Sequence, residues 1–137
     1  MRYAAVSKKA RGLLHNYLKT LEGTFISSFS RPQQRAFWIN LYNASTVNLI
    51  LGHYPLESIT KISFGFFSFG PWDEKLLTIE GAELSLNDIE HRILRPIWHD
   101  PRIHYALNCA SLGCPNLLPQ AFTDINTESL LEQGARD

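Results

Sequence analysis

The stretch Ser30-Arg31-Pro32-Gln33-Gln34-Arg35-Ala36-Phe37-Trp38-Ile39-Asn40-Leu41-Tyr42-Asn43-Ala44-Ser45-Thr46-Val47-Asn48-Leu49-Ile50-Leu51-Gly52 decides the fold. Ser30 can cap a helix, Pro32 suits its first turn and Gln33 stands in capping-box position. Gly52 can end it, with Pro55 beyond to prevent continuation. The expected helix runs from about Arg31 to Leu51 and spans about 30 Å, a small domain's diameter. Phe37, Trp38, Ile39, Leu41, Tyr42, Val47 and Ile50 point in nearly every direction around it, so it should be central and covered on most sides. Asn40 and Asn43 share a face with Ala36, Val47 and Ile50, where a buried amide needs partners. They are expected to tie the helix to a neighbouring loop or strand; orienting a catalytic imidazole or donating to an oxyanion is the functional alternative.

Working outward, Ala10, Leu13, Leu14, Tyr17, Leu18 and Leu21 recur at helical spacing and predict an amphipathic helix over Ser7 to Leu21. Phe64, Phe66, Phe67, Phe69 and Trp72 alternate with Gly65, Gly70 and Pro71, which reads as an aromatic loop packed over the core. Lys75 to Ile79 has strand character, and Glu80-Gly81-Ala82-Glu83 can turn it into a short second strand. Asn87 is read as an N-cap, with Glu90 in box position, for a short helix ended near Pro96. Ile103 to Asn108 alternates apolar and polar and is read as a strand. A last helix from about Thr127 is opened by Asn126, with Ile125 and Leu130 as a hydrophobic staple.

The chain has 137 residues, 45% hydrophobic and 19% charged, with eight Gly and seven Pro. That composition excludes collagen-like, disordered and coiled-coil chains, and the length predicts one domain over residues 1–137. Thirteen basic side chains balance thirteen acidic ones, which removes the bulk electrostatic case for a nucleic-acid partner. The sum hides an asymmetry. Residues 1–40 hold seven Lys or Arg against one Glu, and residues 41–137 hold six against twelve, so the two segments should attract each other. Lys8, Lys9, Arg11 and Lys19 read as a solvated helix face, with an acidic protein partner as the alternative. The start lacks the apolar core of a secretory signal and no transmembrane segment is found, which leaves localisation undecided.

Chemistry gathers near the second half of the chain. Cys109 follows the expected strand and opens the turn-rich Cys109-Ala110-Ser111-Leu112-Gly113-Cys114-Pro115, and His104 lies five residues earlier. An imidazole that takes the thiol proton lowers its pKa from about 8.5 and creates a thiolate nucleophile. Asn108, Asn40, Asn43 or Asp100 could orient the ring, and His91 or His99 could replace His104. Five extended residues span up to about 17 Å, and an odd separation in a strand sends His104 and Cys109 to opposite faces. A buried structural thiol, a local Cys109–Cys114 bridge and a metal ligand are the other readings of Cys109. His104-x4-Cys109-x4-Cys114 departs from ordinary zinc spacing, and neither a metal nor a cofactor is expected. Glu90 is explained by helix-start chemistry.

Arg35-Ala36-Phe37-Trp38-Ile39-Asn40-Leu41-Tyr42-Asn43-Ala44 resembles the signature of the domain of unknown function family numbered 547. Leu84 to His91, Asp100 to His104 and Ala106 to Ser111, continuing through Cys114-Pro115, are similar to it in the same order. The resemblance covers about residues 13–137. It implies importance of Trp38, Asn40, Asn43, Glu90, His91, His104, Asn108 and Cys109 without assigning roles, substrate or cofactor. It also implies a domain that continues past the position of Asp137.

The expected architecture is α+β: N-terminal helices and a long buried central helix packed on a small, mostly antiparallel sheet made from segments near 75–85 and 103–108. Two functions are carried forward. One is a thiol-dependent hydrolase or acyltransferase with Cys109 as nucleophile, His104 as base and Asn108 as orienting amide, supported by Asn40, Asn43, Glu90 and His91. The other is a non-catalytic interaction or structural module with a buried Cys/His/Asn network and a protein partner.

Overall fold

Ser30 and Gln33 close the capping box that the sequence predicts. Gln33 N–H donates to Ser30 Oγ at 3.3 Å, and Ser30 N–H donates to Gln33 Oε1 at 2.9 Å. The computed structural model describes residues 8–52, 74–107 and 121–136. From the box runs α2, Arg31–Gly52, 22 residues long. Every residue from Ala36 to Val47 is buried except the half-buried Asn40, so the helix is the centre of the core on all its faces.

Around α2 the order is α1 (Lys8–Glu22), a 3-10 turn (Ile26–Ser28), α2, β1 (Leu77–Ile79), β2 (Ala82–Leu84), a π-helical segment (Asp88–Leu94), α3 (Arg95–Trp98), a second 3-10 turn (Pro101–Tyr105) and α4 (Thr127–Arg136). The class is α+β, with one two-stranded antiparallel sheet among the described residues. Leu77 pairs with Leu84, and Ile79 with Ala82. The two-residue loop between the strands holds Glu80 at φ 48° and Gly81 at φ 83°, the doubly left-handed turn that matches strand twist. Glu80 is kept there by its carboxylate, which accepts from the N–H and hydroxyl of Ser27.

α1 packs on α2 through a narrower seam than its sequence predicts. Leu18 is buried and Leu14 and Leu21 are half-buried, whereas Leu13 and Tyr17 are exposed. Residues 14, 18 and 21 form one i, i+4, i+7 line, and positions 13 and 17 fall on its flank. Lys9, Arg11 and Lys19 lie in solvent as read. The aromatic stretch from Phe64 to Trp72 lies outside the described residues.

Further expectations are corrected. Asn87 makes no side-chain cap. Its role falls to Ser85, whose hydroxyl accepts from Asp88 N–H at 3.1 Å while Asp88 Oδ2 accepts from Ser85 N–H at 2.9 Å. The helix ends two residues past Pro96, at Trp98, and Pro96 sits in the first turn of α3. The preceding π-turn, closed by Arg95 N–H on Glu90 O, widens the backbone where the proline ring would otherwise meet a carbonyl. The chain turns off at His99, in left-handed conformation with φ 51°.

The expected strand from Ile103 is the 3-10 turn Pro101–Tyr105 and adds nothing to the sheet. Asp100 caps it by accepting from Arg102 N–H at 3.0 Å, and Pro101 is preset for its first turn. Ile103 and Ala106, three apart, are both buried, as 3-10 periodicity requires. Nor do Ile125 and Leu130 form a staple, because Ile125 is 88% exposed. The cap lies three residues earlier than Asn126: Asn126 N–H donates to Thr123 Oγ1 at 3.1 Å, and Thr123 N–H donates to Asn126 Oδ1 at 2.7 Å.

Candidate functional site

Asn40 and Asn43 lie one turn apart on α2 and each grips a different stretch of main chain. Asn40 Nδ2 donates to Phe122 O at 2.7 Å, and its Oδ1 accepts from Phe122 N–H at 2.8 Å. Asn43, buried, donates from Nδ2 to Ala106 O at 2.9 Å. Side chains three apart on a helix stand about 5–6 Å from each other. The two amides therefore hold Ala106 and Phe122 as a pair of shoulders. In sequence, Asn108, Cys109 and Cys114 fall between these shoulders and lie outside the described residues. Asn40 commits its oxygen and an amide hydrogen to main chain, which is the tie to a neighbouring loop that its burial predicts.

His104 sits, exposed, on the turn Pro101–Tyr105 just ahead of the first shoulder. An ion network fixes that turn. Arg102 donates to Asp100 through Nε at 3.0 Å, to Glu128 at 2.9 Å and to Glu132 at 2.6 Å. Arg35 of α2 reaches Glu128 at 2.9 Å and Asp100 at 3.8 Å. Hydrogen bonding to Arg102 holds the Asp100 carboxyl below the usual aspartate range, against the opposing effect of burial. Arg102 and Arg35 lower Glu128 in the same way. Arg35 carries out, across the two halves, the attraction expected of a basic N-terminal and an acidic C-terminal segment. His104 thus stands on a turn, where the alternation of faces expected of a strand does not apply, and Cys109 lies outside the described residues.

Glu90 and His91 belong to another face. Glu90 Oε2 accepts from Arg95 Nε at 3.1 Å and from the adjacent guanidinium nitrogen. Its charge helps raise the Tyr42 phenol, whose main cause is burial, while Arg95 opposes it. Tyr42 projects about 200° around α2 from Asn40, so Glu90 faces the Tyr42 side of the helix. His91 Nε2 lies 3.9 Å from Glu90 Oε1 with its side chain 56% exposed. No three metal-ligating side chains gather among the described residues. No helix there is long and apolar enough to cross a membrane.

Sequence reasoning named Asp100 but missed Arg35, Arg102, Glu128 and Glu132. Arg35, a charge at the edge of the apolar run of α2, and Arg102, two residues after a capping Asp, were the available signals.

An α+β domain built on a polar-clamped central helix is thus the class that the structure defines. Residues 26–137 match the family described as "Protein of unknown function, DUF547", and the chain belongs to it. No curated protein matches the chain. No solved structure does either.

Proposed function

We propose that the domain is a thiol-dependent hydrolase or acyltransferase, with Cys109 as nucleophile, His104 as general base and Asn108 as the amide that orients the imidazole. In the first step the Cys109 thiol gives its proton to His104 and the thiolate adds to an acyl carbonyl. Collapse of the adduct forms a thioester and expels a leaving group, which takes the proton from the imidazolium. Water or a second acceptor, deprotonated by His104, then cleaves the thioester. Asn40 and Asn43 are positioning residues, acting through the chain on either side of Cys109. Glu90 and His91 support the fold from the Tyr42 side of α2.

The observation that carries this reading is the pair of shoulders. The half-buried Asn40 amide, the buried Asn43 amide and an ion network hold the chain just before and well after Cys109, and an exposed imidazole stands next to the first anchor. Scaffolds present reactive groups on segments held in this manner. A second reading, a non-catalytic interaction module with a protein partner, draws on the same amides, because their bonds go to main chain and explain them as architecture.

Iodoacetamide labelling of the intact chain separates the two. At about pH 6 a depressed thiol pKa makes Cys109 label faster than Cys114 and faster than a model thiol, and His104→Ala slows it. Equal, slow labelling of both cysteines that His104→Ala does not change refutes the enzymatic reading.

A further inference from the structure

The 3-10 turn that carries His104 is a three-sided rod, because its side chains repeat every three residues. Ile103 and Ala106 make the core side: both are buried, and Asn43 holds Ala106 O at 2.9 Å. Arg102 makes a second side, bonded to α4. His104 stands on the third and is exposed. Whatever fixes the roll of the rod therefore aims the imidazole. Apolar contact on the core side is non-directional and leaves that roll loosely set. The Arg102 guanidinium, planar and with donors in a rigid fork, is directional.

Its fork closes on the carboxylate that caps the turn, with Nε at 3.0 Å from Asp100 Oδ1 and a terminal nitrogen at 2.7 Å from Oδ2. The same terminal nitrogen reaches Glu128 at 2.9 Å, and the other reaches Glu132 at 2.6 Å. Glu128 and Glu132 are four apart on α4, so the guanidinium grips one whole helical turn. With all three nitrogens bonded to carboxylates of the fold, Arg102 is placed to orient its own turn. We propose that Arg102 is the positioning residue of the His104 base, its fork between Asp100 and α4 setting the direction in which the imidazole is presented to Cys109. This role rests on the thiol-dependent reading above and adds to it the group that aims the base.

The test is iodoacetamide labelling of Cys109 in the intact chain, followed from about pH 5 to about pH 9. His104→Ala removes the base and sets the full loss. Arg102→Gln is expected to slow labelling about tenfold at about pH 6 and to move the midpoint of the profile up by about one pH unit, toward that of His104→Ala. Arg102→Lys keeps the charge without the fork and moves the midpoint by a smaller step in the same direction. Gly81→Ala, which weakens the fold at the β1–β2 hairpin, leaves the profile in place. A shift with His104→Ala that neither Arg102 variant reproduces overturns the positioning role and leaves the Cys–His reading standing. No shift with His104→Ala removes both. A shift with Gly81→Ala equal to that with Arg102→Gln also overturns the positioning role, because lost stability alone would then account for it.

Discussion

Replacing Asn40 with Ala removes a side chain that serves both polar groups of one residue. Phe122 N–H and Phe122 C=O lose partners at 2.8 and 2.7 Å. The Phe122 ring is 4% exposed, so its main chain cannot turn freely toward water. A buried polar group stripped of its partner costs about 1–3 kcal/mol. Two such groups at a half-buried site give about 3 kcal/mol once partial hydration is allowed for. For a chain of 137 residues that loss lowers the Tm by about 10 °C. The assay is urea denaturation with hydrogen exchange read at individual amides. The urea midpoint falls at unchanged m-value, and the Phe122 amide exchanges faster than the Leu130 and Leu131 amides of α4. A loss below about 1 kcal/mol with Phe122 exchange unaltered would show that the clamp does not hold the second shoulder.

Asp88 gives a pH dependence. Lys75 holds its carboxyl down to about 2 from 3.8. A depressed folded pKa contributes stability present above the unfolded value and lost as pH falls through the folded one. Stability therefore declines between about pH 5 and pH 2, and Lys75→Met shrinks that loss by about 1 kcal/mol, since the lysine is half exposed; acid titration of the Tm checks it. Gly81→Ala meets no neighbouring atom within 4 Å, so its cost is that of backbone at φ 83°, about 1 kcal/mol by chemical denaturation. Arg102→Gln unlinks Asp100 from Glu128 and Glu132 and costs about 1–2 kcal/mol. Part of that cost disappears in high salt, and hydrogen exchange quickens in α4 before it does in α2.

Where the sequence was read well, the determinant was local and chemically complete. Ser30 with Gln33 is a closed reciprocal pair three residues apart, and Gly81 is the residue a two-residue hairpin loop demands. Where it misled, two local solutions competed. Asn87 with Glu90 and Ser85 with Asp88 both have box spacing, and the second prevails because Asp88 also pairs with Lys75. Ile103 to Asn108 alternates over a span too short to separate a strand from a 3-10 turn, and the Asp100 cap with Pro101 decides for the turn. The amides of Asn40 and Asn43 were legible as groups in need of partners. Their partners were not, because Phe122 O and Ala106 O are main-chain atoms, 82 and 63 residues away, and carbonyl oxygens carry no side-chain signature.

The two shoulders are joined to each other as well as to α2. Phe122 leads directly into the Thr123–Asn126 box that starts α4, and Ala106 follows directly from the turn capped by Asp100. Arg102 crosses from that turn to Glu128 and Glu132 on α4, and Arg35 reaches both sides from α2. Closing the chain between Leu107 and Ala121 has a length-dependent entropy cost of about 2 kcal/mol. Three amide hydrogen bonds, at about 1 kcal/mol net each, offset that length-dependent cost. The two anchors of the segment that contains Cys109 are thus tied both to α2 and, through Arg102, to each other.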